Sequence, residues 1–226
     1  MTDTNAIAIL GCGWLGLPLA LRLINDGIRV KGSSTSDGKI SSLAESGIEP
    51  FVIRFTGSGV TGDINGLLQD CGILIITTPP GKTEGPFDNA IATLLPYIKR
   101  SGIRKVMMIS STSVYGKNTG IVSGETIPLP ETPNAVALLK AEKLLSDEQA
   151  FKSTIVRFGG LTGKERHPVK YLSGKKGLTD GDTPVNLIHL NDCIGIITTI
   201  LNKVAWGYTF NAVWPSHPPK RAYYRE

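Results

Sequence analysis

At 226 residues the chain is long enough to bury a substantial core, and with 41% hydrophobic and 19% charged residues it lacks the low hydrophobicity and high net charge of a disordered protein. Its net charge of +5 comes from scattered pairs (Lys99-Arg100, Arg104-Lys105, Lys175-Lys176, Lys220-Arg221). The absence of a dense basic stripe interleaved with aromatics argues against nucleic acid as a partner, while a mild positive balance suits an anionic small molecule.

In chain order, Ala6–Leu10 is a short apolar strand, and Leu15–Asp26 follows with apolar residues at helical spacing. Gly27 ends that helix, and a second strand is expected at Ile28–Gly32. A short helix near Asp37–Ser46 leads to a third strand, Glu49–Arg54; Ile64–Asp70 is a short helix and Gly72–Thr77 a strongly apolar strand. Phe87–Ser101 is helical, Lys105–Ser110 a strand, Asn134–Ala150 helical and Ser153–Phe158 a strand. Short apolar strands alternating with helices predict an α/β fold, a parallel sheet wound on both faces. After Gly159 the texture changes. Leu161–Pro184 is polar, rich in Gly and Lys, and without period; Val185–Leu190 and Tyr208–Val213 are strands flanking a helix, Asn191–Asn202; and the tail from Pro215 is a loop leading into a helix cut off at Glu226. These features predict a dinucleotide-binding domain over residues 1–160 and a small, incomplete substrate lobe over 161–226, intertwined with it.

Three cysteines, Cys12, Cys71 and Cys193, lie in apolar or Gly-rich stretches, and with three histidines they form no metal-type spacing. A reduced, cytoplasmic protein without a metal is expected. The apolar stretch from Ala6 to Ile24 lacks the basic flank of a signal peptide, and no apolar run is long enough to span a bilayer.

The segment Gly11-Cys12-Gly13-Trp14-Leu15-Gly16 carries the functional argument. A G-x-G-x-x-G pattern means little alone, but this one leaves an apolar strand and opens an amphipathic helix, as a Rossmann dinucleotide site requires. Gly11 permits the tight turn, Gly13 lets the backbone approach a pyrophosphate, and Gly16 lets helix and strand pack closely, with Trp14 and Leu15 completing the turn at the helix N-terminus. NAD sites usually carry a carboxylate about 20 residues further on. Here Ser33-Ser34-Thr35-Ser36 occupies that place, with Ser34 at the acidic position; hydroxyls tolerate a 2′-phosphate, and Lys39 is close in sequence. NADP is therefore expected ahead of NAD. The same serines would also serve as caps for the next helix.

Four segments together resemble the extended and atypical short-chain dehydrogenase/reductases, the superfamily of NAD-dependent epimerases/dehydratases and nucleoside-diphosphate-sugar epimerases. They are the glycine motif, Ser110-Ser111-Thr112-Ser113-Val114-Tyr115-Gly116, Val156-Arg157-Phe158-Gly159-Gly160-Leu161-Thr162-Gly163, and Val185-Asn186-Leu187-Ile188-His189-Leu190-Asn191-Asp192. The resemblance implies that Ser111 bonds a substrate oxygen, that Thr78 and Pro79 line the ribose and phosphate side of the cofactor, that Arg157–Gly160 lies beside the nicotinamide, and that the substrate is a small molecule such as a nucleotide sugar. Asp192 is read as a helix cap. The superfamily's Tyr-x-x-x-Lys pair is missing. Registering the helix on Ala141-Glu142 puts Asn134 and Leu138 at the two positions, and registering Lys140 as the lysine puts Val136 at the tyrosine. An amide does not replace a phenol in proton transfer. Tyr115, or a residue of the segment Thr162–Pro184, then becomes the candidate proton carrier. Lys164, Arg166 and Lys170 are candidates for a substrate phosphate, or simply solvated loop charges. The alternative to an oxidoreductase is a cofactor-binding sensor or regulatory protein without turnover.

Overall fold

A computed structural model describes residues 6–116, 120–172 and 180–224; the Lys175-Lys176 pair, residues 173–179 of the variable segment and Glu226 lie outside them. In chain order the elements are β1 (Ala6–Leu10), α1 (Gly16–Asn25), β2 (Val30–Ser34), α2 (Ile40–Glu45), β3 (Glu49–Val52), β4 (Arg54–Thr56), β5 (Gly59–Thr61), α3 (Ile64–Leu68), β6 (Cys71–Ile76), α4 (Phe87–Arg100), β7 (Lys105–Ser111), α5 (Pro133–Ser146), β8 (Lys152–Phe158), β9 (Gly160–Thr162), α6 (Val169–Leu172), β10 (Leu187–His189), α7 (Leu190–Asn202), β11 (Thr209–Ala212) and α8 (Lys220–Tyr223).

Seven strands form one sheet in the order β11-β8-β7-β6-β1-β2-β3, and every pairing within it is parallel. β1 shows why its sequence does not alternate between apolar and polar. Ala6, Ala8 and Leu10 pack into one buried cluster with residues of α3, α4 and α5, while Ile7 and Ile9 pack into the other with residues of α1 and α7. Both faces are covered, so every β1 side chain is buried. α4 buries Phe87, Ala90, Ile91, Leu94 and Ile98, one stripe at helical spacing. α5 starts where Thr132 accepts a bond from the Ala135 N–H at 3.2 Å, with Pro133 in the first turn.

The chain winds one way from β1 to β3 and the other from β6 to β11, so the direction reverses between β1 and β6. The crevice at the carboxyl ends of those two strands is where open α/β sheets take ligands. The glycine turn leaves β1 and Thr77–Pro79 leaves β6 at that edge.

Four expectations are corrected. β2 runs to Ser34 rather than ending at Gly32, which buries Ser33 and Ser34 in the sheet. The third strand stops at Val52, and Arg54 opens an antiparallel hairpin, β4 with β5, joined by the two-residue turn Gly57-Ser58, a hairpin signal that a reading by apolar runs passes over. α5 ends at Ser146, four residues early. Leu161–Pro184 is not wholly irregular, because β9 pairs in parallel with β10 beyond the end of β8. β11 returns to the large sheet beside β8, so residues 161–226 contribute a strand to the dinucleotide-binding body as well as the smaller pair. Among the described residues, no helix is long and apolar enough to cross a membrane.

Candidate functional site

The glycine turn is tightened from three sides. Ser33 Oγ accepts from the Gly11 N–H at 3.0 Å. Thr77 Oγ1 donates to the Gly11 carbonyl at 2.7 Å, and Thr78 Oγ1 donates to the Leu10 carbonyl at 2.9 Å. Each glycine has its own reason. Gly11 has φ +108°, and a Cβ there would sit 2.7 Å from Thr78 Oγ1. A Cβ on Gly16 would lie 2.2 Å from the Gly11 carbonyl oxygen, so α1 could not approach β1 so closely with any other residue. A Cβ on Gly13 would find nothing nearer than the Gly11 oxygen at 4.0 Å. Gly13 is exposed, and among the described residues the N–H groups of Trp14 and Leu15 find no acceptor in the chain. Open space, two free donors and the positive end of the ten-residue helix α1 fit a dinucleotide pyrophosphate.

At the far end of β2, Ser34 is buried and its hydroxyl oxygen accepts from the Ser36 N–H at 3.1 Å. Thr35 is exposed. Its carbonyl accepts from Arg54 Nε at 2.9 Å, and the same guanidinium pairs with Asp37. Arg54 thus reaches the tip of β2 from β4. Sequence reasoning missed it because only the unforeseen hairpin brings residue 54 beside residue 35. The pair with Asp37 is solvent-exposed, and such pairs contribute little net energy.

Ser111 ends β7, two strands from β1 on the same sheet edge. Its hydroxyl oxygen caps the following 3-10 helix, Thr112–Tyr115, by accepting from the Ser113 N–H at 3.1 Å. This leaves the hydroxyl hydrogen for another acceptor. Nearby, Asn186 Nδ2 donates to Thr112 Oγ1 at 3.3 Å and so joins the β10 side to this edge. Pro79 is exposed on the crevice side, whereas the Thr78 hydroxyl is committed to the turn.

Tyr115 ends the 3-10 helix that Ser111 caps. It is buried, and its hydroxyl is occupied on both sides: it accepts from Arg157 Nη1 at 2.7 Å and has Ser123 O at 2.7 Å and Asn211 Oδ1 at 2.9 Å as acceptors. Arg157 in turn holds Glu142 through two nitrogens, and Ser110 Oγ donates to the same carboxylate at 2.5 Å. Burial opposes the Arg157 charge, but the bonds to Glu142 and Tyr115 outweigh it and push the guanidinium pKa up. This is a closed network under the site, joining β7, α5, β8 and β11. The sequence gives each of its members without the partnership.

The helix that would carry the usual acid–base pair is α5, which packs against β7, β8 and the 3-10 helix after Ser111. Asn134 is exposed in its first turn, and Leu138 is buried in the core. A groove of about 550 Å³ between α7 and β11, lined by Ile196, Phe210 and Trp214 among others, includes no residue of the glycine turn.

The chain matches the family described as NAD(P)H-binding over residues 11–189. It is 35% identical over 224 residues to Protein YeeZ of Escherichia coli (strain K12), covering 96% of this chain and 81% of that one. Among solved structures, a functionally unknown conserved protein from Silicibacter pomeroyi DSS superposes with a TM-score of 0.80 at 22% identity, over 98% of this chain and 76% of that one. UDP-glucuronic acid 4-epimerase from Bacillus cereus, in complex with UDP-glucuronic acid and NAD, does so at 0.76 and 22%, over 95% of this chain and 79% of the other. At these identities the two structures establish the shared fold.

Proposed function

The chain belongs to the NAD(P)H-binding family, and from that premise we propose that it is an epimerase/dehydratase-type oxidoreductase that prefers NADP(H) and acts on a nucleotide sugar. One observation carries this reading. The open glycine turn and the Ser111 hydroxyl stand on the same carboxyl edge, two strands apart, so a dinucleotide on the turn extends toward a substrate oxygen held at Ser111. The substrate class is supported by the shared fold with an epimerase solved with UDP-glucuronic acid.

When bound, the nicotinamide supplies a hydride donor or acceptor. The chain's own residues bind and orient. Trp14 and Leu15 present N–H groups to the pyrophosphate, Ser34, Thr35 and Arg54 meet the adenosine ribose, and Ser111 donates to the substrate oxygen. The preference for the 2′-phosphate rests on a hydroxyl at residue 34, where a carboxylate would repel it, and on the Arg54 guanidinium beside Thr35. Tyr115 positions Arg157, which fixes β8 next to the segment Gly159–Gly160. Neither Asn134 nor Leu138 relays a proton, so turnover is slow.

The position of Asn134 and Leu138 favours a second reading, an NADP(H)-binding sensor without turnover. Mixing the protein with NADP⁺ or NADPH and a panel of UDP-sugars, while following nicotinamide absorbance and separating the sugar nucleotides by chromatography, separates the two, since an epimerase returns the hydride it takes and reveals itself by its product. A slow, substrate-dependent change supports the oxidoreductase. Saturable NADPH binding with neither an absorbance change nor a new sugar-nucleotide product for any sugar overturns it in favour of the sensor.

A further inference from the structure

The turn after β9 touches the glycine turn across 150 residues of sequence. Trp14 Nε1 donates to the Lys164 carbonyl at 3.1 Å. The Arg166 guanidinium lies over the Trp14 ring, 4.9 Å from its centroid. The turn itself is closed by a pair of backbone bonds, Arg166 N–H to the Gly163 carbonyl at 2.9 Å and Gly163 N–H to the Arg166 carbonyl at 3.2 Å. Its seating on Trp14 leaves little room for a side chain at residue 163: a Cβ there would come within 3.2 Å of Trp14 Cζ2 and 3.1 Å of Leu190 Cβ, and Gly163 has φ +150°. The base of the turn is anchored by β9 on β10, where Thr162 pairs with His189.

Among the described residues, no carboxylate pairs with Arg166. It is half-buried, while Lys164 and Lys170 on the same segment are exposed. A cation over an indole is attracted by the ring, and stacking holds the planar guanidinium with its N–H donors pointing outward in its own plane. Trp14 is the residue next to Gly13, the open point of the turn. The anion that belongs beside it is a phosphate, for which a fixed guanidinium is the matched partner.

We propose that Arg166, stacked on Trp14, is a ligand of the cofactor pyrophosphate, and that the turn Gly163–Arg166 is a clasp closing on the dinucleotide from the substrate side. The assignment rests on the glycine turn being the cofactor site. It gives Trp14 a role beyond its backbone: the indole sets the position of the arginine. A nucleotide sugar would bring a diphosphate of the same chemistry, and Trp14's place inside the glycine turn assigns Arg166 to the cofactor.

Calorimetric titration with NADPH and, separately, UDP-glucose tests this in the wild type, Arg166→Gln and Arg166→Lys, with thermal unfolding as the check on folding. Removing one charge-assisted contact should weaken NADPH about tenfold and flatten the salt dependence of its affinity. Arg166→Lys, which keeps the charge without the planar fork, should fall between. Wild-type binding of NADPH with the same affinity and salt dependence in both folded variants would overturn the clasp and leave the cofactor site standing. A wild type that does not bind NADPH would overturn both. Loss of UDP-glucose affinity with NADPH unchanged would overturn the assignment to the cofactor, giving Arg166 to the substrate.

Discussion

Arg157 Nη2 lies 2.6 Å from Glu142 Oε2, with 6% and 5% of the two side chains exposed. The pair joins β8 to α5, and through Tyr115, Ser110 and Asn211 it also holds β7 and β11. Two buried charges that satisfy one another are a poor net source of stability, but leaving one alone is expensive.

Glu142→Gln should therefore lower the unfolding free energy by about 3–5 kcal/mol. Chemical denaturation with the midpoint and slope both measured checks this. A loss under about 1 kcal/mol would mean that water reaches Arg157 and that the network is not closed. Tyr115→Phe should cost less, about 1–3 kcal/mol, because it strips one hydroxyl from Arg157 and leaves the charge pair. If Tyr115 instead carried the catalytic proton, Tyr115→Phe would abolish turnover with little effect on stability.

Gly13→Ala and Gly16→Ala should behave differently. At Gly13 the added methyl meets open space, so the protein should keep its melting temperature and lose NADPH affinity. At Gly16 it meets the Gly11 carbonyl oxygen at 2.2 Å, so stability and binding should fall together. Gly13→Asp should abolish binding of both dinucleotides by facing the pyrophosphate with a charge. Calorimetry beside thermal unfolding reads both effects. Retained affinity in a folded Gly13→Asp protein would put the pyrophosphate elsewhere.

The adenosine end predicts a switch. The wild type should bind NADPH at least as tightly as NADH. Ser34→Asp should reverse the order, and Arg54→Ala should weaken NADPH while sparing NADH, by about tenfold for one charge-assisted contact. A wild type with a clear preference for NADH would overturn the argument from the hydroxyls and from Arg54 alike.

Burial pushes the Cys12 and Cys193 thiols up to about 12 and the Cys71 thiol up to about 11. Iodoacetamide at pH 8 should leave all three unmodified in the folded protein and modify all three in denaturant. The folded values lie above the unfolded one, about 8.5. The stability these thiols contribute is thus fully present below that pH and is lost as pH rises toward 11–12. Cys193→Ala should flatten this alkaline decline. An equally steep decline in that variant would assign it to other groups.

Most of the sheet was legible because its strands are buried on both faces and so appear as apolar runs between helical patterns; β1, at Ala6–Leu10, needed no correction. The glycine turn was legible because its residues are adjacent in sequence and each obeys a local steric rule. What failed were features made by distant partners. Arg54 reaches the tip of β2 only through a hairpin whose strands are three residues long. The clasp of Arg166 on Trp14 and the closure of the Tyr115 hydroxyl by Arg157 depend on contacts 152 and 42 residues apart, which no periodicity records. Tyr115 stands out in the sequence as the tyrosine nearest Ser111 once the usual pair is found missing, and its surroundings are not legible there. The 3-10 helix turns its hydroxyl toward Arg157 in the core.

On the proposed reading the chain keeps a dinucleotide site at the glycine turn and lacks the acid–base pair on α5, where Asn134 and Leu138 stand. The most direct test is the rate at which UDP-glucose or UDP-glucuronic acid is converted to product in the presence of NADP⁺, read by chromatography of the sugar nucleotides, in the wild type and in Asn134→Tyr, which restores a phenol on the exposed first turn of α5 without disturbing the buried Leu138. A positioned acid–base group is worth about 10²–10⁴-fold in rate. The account predicts slow or undetectable conversion in the wild type and a faster one in Asn134→Tyr, with NADPH affinity the same in both. Rapid wild-type turnover that Asn134→Tyr leaves untouched would contradict it, because another group would then be carrying the proton.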